Sequence, residues 1–89
     1  MDSEEIEKEI ADLESKIEQN KAEIADIIGV TAEEVDLGNI PTEQLTEEQV
    51  ARIEELVQEI TRYSMRIEAL KERLSNMNAD AARAFNEEV

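Results

Sequence analysis

The residues of this chain with the most chemical potential are five adjacent carboxylate pairs: Glu4-Glu5, Glu33-Glu34, Glu47-Glu48, Glu54-Glu55 and Glu87-Glu88. Oxygen donors of this kind can ligate Ca²⁺ or Mg²⁺, and paired carboxyls carry the acid–base work of glycoside hydrolysis. Neither use fits their arrangement. No pair sits in the loop spacing of an EF-hand, and a glycosidase needs its two carboxyls on opposite walls of a cleft, which a hairpin of thin helices does not provide. The 89 residues include no histidine and no cysteine. That removes the commonest general base, the commonest transition-metal ligand, thiolate nucleophiles and disulfides together. The expectation is a protein that is not an enzyme and holds no cofactor or metal, with the acidic pairs serving as solvated helix faces and favourable helix N-termini.

The elements that carry these residues are set by an apolar ladder at alternating four- and three-residue spacing. Ile6, Ile10, Leu13, Ile17, Ile24 and Ile27 form its first half, with Asn20 the one polar rung. Ile53, Leu56, Ile60, Tyr63, Ile67, Leu70, Leu74, Met77 and Ala81 form its second half. This spacing keeps a narrow face of a helix apolar, and a narrow apolar face is buried by another helix. The predicted fold class is all-α: an antiparallel helical hairpin or coiled coil with a long second helix, in a single domain over residues 1–89. The first helix is expected over about 3–28, opened by Asp2 or Ser3 and stopped by Gly29. The long helix is expected over about 47–85.

Residues 29–46 interrupt the ladder with Gly29, Gly38, Asn39 and the only proline, Pro41. Thr31-Ala-Glu-Glu34 reads as a capping box for a short helical turn near 32–37, and Thr46-Glu-Glu-Gln49 as a second box opening the long helix. A bare loop of this length is uncommon in a small domain, so Val35, Leu37, Ile40 and Leu45 are expected to anchor it over the end of the hairpin.

Folding back antiparallel, the two halves align Ile27 with Ile53, Ile24 with Leu56, Ile17 with Tyr63, Ile10 with Leu70 and Ile6 with Leu74. The flanks agree in charge, with Glu7, Glu9 and Glu14 on one side and Arg66, Lys71 and Arg73 on the other. In this register Met77, Ala81, Ala84 and Phe85 have no partner in the first helix, which makes them the candidate partner-binding residues. Met65 and Met77 add adaptable apolar surface, and Ala79, Ala81, Ala82 and Ala84 allow close helix approach. One stripe per helix is a small core, so the hairpin is expected to oligomerise, as a dimer or higher, into a helical bundle. Asn20 in the seam is read either as a register-fixing contact or as a residue at a solvated edge.

Twenty-four acidic residues against nine basic ones give a formal net charge of −15. Direct binding to nucleic acid or to an anionic membrane is disfavoured, and a basic protein is the natural complement. No apolar run is long enough for a membrane span and Met1 is followed by Asp2, Ser3, Glu4 and Glu5, so the expected location is the cytoplasm, that of the host if the chain is viral.

The stretch Ala22-Glu-Ile-Ala-Asp-Ile-Ile-Gly-Val-Thr-Ala-Glu-Glu-Val35 has the small residue, turn glycine and apolar spacing of a helix-turn-helix. Between Lys21 and Arg52, however, stand eight acidic residues and no basic one, opposite to what a phosphate backbone requires. The same stretch, following an acidic heptad helix, resembles a segment of the short tail-fibre assembly chaperones of tailed phages. That resemblance implies a small, acidic, helical oligomer that helps a fibrous protein to trimerise. Two function classes therefore stand side by side. One is a non-catalytic scaffold, adaptor or assembly chaperone working through its unpaired helix end. The other is an acidic inhibitor that mimics nucleic acid, of the anti-restriction or anti-CRISPR type, with Glu33, Glu34, Asp36 and Glu43 as its acidic surface.

Overall fold

A computed structural model of the protein describes the backbone of residues 2–88 and the side chains of residues 2–77. It is all-helical among the described residues: α1 spans Ser3–Ile28, a single 3-10 turn spans Ala32–Glu34, and α2 spans Glu47–Glu88. The two helices pack against each other as a hairpin within an envelope of 64 × 20 × 19 Å.

Local chemistry sets the ends of each helix. Asp2 caps α1, its Oδ1 accepting from the Glu5 N–H at 2.9 Å. The helix stops at Gly29, whose φ of +79° is left-handed, and the N–H groups of Gly29 and Val30 both donate to the Ala25 carbonyl, at 2.8 and 3.0 Å. A side chain at this φ is strained even where space is free. The second capping box forms as expected: the Thr46 N–H donates to Gln49 Oε1 at 2.9 Å and the Gln49 N–H donates to Thr46 Oγ1 at 3.2 Å. α2 runs three residues beyond the expected end at Phe85.

The core is two clusters along one seam. Ile6, Ile10 and Leu13 of α1 bury against Ile67 and Leu70 of α2, with Ile17, Tyr63, Leu74 and Met77 packed around them. Nearer the connection, Ile24 buries against Leu56 and Ile60. Ile17 touches both clusters. The expected layers Ile24/Leu56, Ile10/Leu70, Ile6/Leu74 and Ile17/Tyr63 each fall within one cluster. Ile53, expected beside Ile27, is also buried.

The connection differs from expectation in two particulars. Its helical turn is shorter, and Thr31 caps only through its backbone, its carbonyl accepting from the Glu34 N–H at 3.0 Å while its side chain makes no cap bond. Val35, Leu37 and Ile40 pack on the second cluster as anchors, but Leu45, expected with them, is not among the residues packed there. Asp36 Oδ1 accepts from the Gly38 N–H at 3.0 Å and fixes the bend between these anchors.

Candidate functional site

The seam is joined by polar contacts on one flank. Arg52 forms a two-pronged contact with Glu23, Nε donating to Oε2 at 2.6 Å and Nη2 to Oε1 at 3.1 Å, while its Nη1 donates to Glu55 at 2.9 Å. Arg66 reaches Glu9 at 3.3 Å. The hydrogen bonds from Arg52 hold the Glu23 carboxyl below its ordinary value; desolvation opposes them, and the mutual attraction of the two charges adds a smaller lowering. The same contacts push Arg52 further up, so it is charged at every relevant pH.

Of the flanking charges read from the sequence, Glu9 and Arg66 meet, whereas Glu7, Glu14, Lys71 and Arg73 enter no ion pair among the described residues. The Glu23–Arg52 pair was not anticipated, although its signal was present: Glu23 lies two heptads after Glu9, as Arg66 does after Arg52. Midway along the row, Lys16 pairs with Asp12 at 3.5 Å and lies 5.9 Å from the centre of the Tyr63 ring. Asn20 spans the seam rather than facing solvent. Its Nδ2 donates to the Leu56 carbonyl at 3.3 Å and to Glu59 Oε2 at 3.4 Å.

The candidate partner-binding residues divide. Met77 is half-buried and packs on the first cluster, so it belongs in part to the hairpin itself. Ala81, Ala84 and Phe85 lie in α2, and their side chains are outside the described residues. The backbone nonetheless carries the mismatch: α2 has 42 residues and α1 has 26, a difference of about 24 Å at the helical rise.

The acidic candidates sit at the opposite end. Glu33 and Glu34 ride on the 3-10 turn, Asp36 and Glu43 follow it, and all four are exposed. They form no ion pair and no oxygen cage among the described residues. What they make is an open, uncompensated acidic tip. The helix-turn-helix reading ends here too, because the segment after Gly29 forms three residues of 3-10 turn and no recognition helix.

Set against protein-family models, curated proteins and solved structures, the chain has no match in any of the three. The likeness to tail-fibre assembly chaperones thus rests on Ala22 to Val35 alone. No described helix is long and apolar enough to cross a membrane.

Proposed function

We propose that this protein is a non-catalytic helical interaction module, a scaffold, adaptor or assembly chaperone of the cytoplasm, that works by offering the end of α2 to another helix. The observation that carries the reading is the mismatch of 42 residues against 26. Beyond Met77 the ladder continues in the sequence through Ala81 and Ala84, with Phe85 beside them, where α1 has no residue left to cover them. A continuing ladder is what a second copy, or a partner helix, would bury to complete a bundle.

The test is Phe85→Glu, followed by light scattering across a concentration series and by capture of partners. The substitution is expected to abolish the oligomer or the complex while leaving helicity intact. Assembly and capture identical to those of the parent chain would refute the reading.

A second reading is favoured by the acidic tip. A charge of −15 on a rod 64 Å long is about one net charge per 4 Å, the order of a single DNA strand. On this reading the chain occupies the basic channel of a nucleic-acid enzyme. Its complex would loosen steeply with salt and would be damaged by reversing Glu33, Glu34, Asp36 and Glu43. A complex insensitive to salt would exclude it.

A further inference from the structure

At the closed end of the hairpin, the last turn of α1, the connection and the first turn of α2 enclose a cleft of about 410 Å³. Ile27, Ile28, Pro41 and Leu45 supply its apolar lining, and Glu43 and Gln49 are among its polar residues. Leu45 is the telling member. Its three companions in the connection, Val35, Leu37 and Ile40, pack onto the second core cluster, whereas Leu45 stays half-buried at this cleft. More of the exposed lining is polar than apolar, so the cleft offers one small apolar patch at Leu45 and Ile28 inside a polar rim, room for a single aliphatic side chain to leave water.

The charge around the cleft says what kind of partner. Residues 22–51 hold eight carboxylates and no lysine or arginine. Among the described residues, Glu23 is the one of the eight that enters an ion pair, with Arg52. Glu43 lines the cleft, and Glu47 and Glu48 stand on the same helical turn that supplies Gln49. An acidic peptide would be repelled, and a neutral one would leave the carboxylates uncompensated.

We infer that this cleft is a docking site for a basic protein segment that inserts one aliphatic side chain between Ile28 and Leu45 while its lysines or arginines face the carboxylates of the tip. Apolar insertion supplies selectivity, and charge supplies attraction and speed. This inference is independent of the C-terminal end of α2, which lies at the far end of the molecule. It also differs from nucleic-acid mimicry, in which charge alone would decide.

The test uses the full chain and two labelled probes, a short oligolysine peptide with one central leucine and the same peptide with a central serine, compared by fluorescence anisotropy at physiological salt. The leucine peptide is expected to bind about tenfold more tightly, the effect of burying one aliphatic side chain in a half-open site. That preference should vanish in Leu45→Ser, which lies outside both packed clusters. Equal affinities, no binding of either peptide, or a preference that survives Leu45→Ser would overturn the inference. Should Leu45→Ser lose its helical signal, amide shift mapping on the parent chain decides instead. Shifts gathered at Ile27, Ile28, Leu45 and Gln49 support the site, and shifts spread along the rod refute it.

Discussion

Asn20 shows how much one side chain can decide in a thin seam. It occupies a ladder position between the apolar rungs Ile17 and Ile24, and its amide reaches across to the Leu56 carbonyl and Glu59. A polar group so placed costs stability relative to leucine but rewards one alignment of the helices. Asn20→Leu should therefore raise the urea midpoint by the equivalent of about 1 kcal/mol while adding species in native mass spectra. A lower midpoint would mean that the amide contributes net stability. The anomaly of Asn20 was legible in the sequence, but its partners were not, because a backbone carbonyl becomes an acceptor for a distant side chain only once two helices are docked. Glu23 makes a second prediction at this scale. Its carboxyl is held below its unfolded value by Arg52, so the stabilisation is present at neutral pH and is lost as the pH falls through the folded value. The stability gap between the parent chain and Glu23→Gln should accordingly be open at pH 7 and close in acid. Both partners are exposed, so the gap is small, and a gap that widens in acid would contradict the assignment.

Between elements, the flanking charges form a code. Along α1 the row reads Glu9, Lys16, Glu23, and along α2 it reads Arg66, Glu59, Arg52 in the opposed direction, all at one-heptad intervals. The two outer pairs are formed in the structure. Sliding one helix by a heptad in either direction would keep apolar residues opposite each other, yet it would set Lys16 against Arg66 or Arg52 and Glu59 against Glu23 or Glu9. Like charges at these flanks disfavour the slip, so the middle position acts chiefly against wrong alignments. The double variant Lys16→Glu/Glu59→Arg removes this safeguard while keeping every pair complementary. Spin labels on the outer faces of the two helices should then report two distances a heptad apart instead of one. A single narrow distance would show that the apolar layers and Asn20 suffice. The boundaries of the elements were legible where one residue type alone defines them, as with the capping side chains of Asp2 and the Thr46/Gln49 box and the backbone freedom of Gly29. They were less legible at Thr31, where the pattern of a capping box is present but only three residues follow before Val35 turns extended. Gly29→Ala is expected to cost about 1 kcal/mol in urea unfolding, since the obstacle is the left-handed backbone and the added methyl would meet nothing within 4 Å beyond its own stretch of chain.

Over the whole molecule, net charge opposes folding and association alike. Fifteen uncompensated negative charges share a rod 64 Å long, and among the described residues two exposed ion pairs tie the helices together. Screening should therefore relieve more repulsion than it weakens attraction. The Debye length falls from about 8 Å at physiological ionic strength to about 3 Å at 1 M, shorter than most separations between the carboxylates but comparable to an ion-pair contact. Raising sodium chloride is thus expected to raise the melting temperature, and a fall would mean that the exposed pairs outweigh the net charge. The same titration separates the two functional readings, because their interfaces differ in kind. Burial of an apolar ladder at the end of α2 is strengthened as like-charged copies are screened, so sedimentation should show more oligomer at high salt. Occupation of a basic channel is held by charge and should lose its complex over the same range. Sedimentation of the chain alone and of the chain with a captured partner, at low and at high salt, reads both slopes from one preparation. Assembly that grows with salt beside a complex that also survives it would assign the work to the helix end, and a complex that dissolves would assign it to the acidic tip.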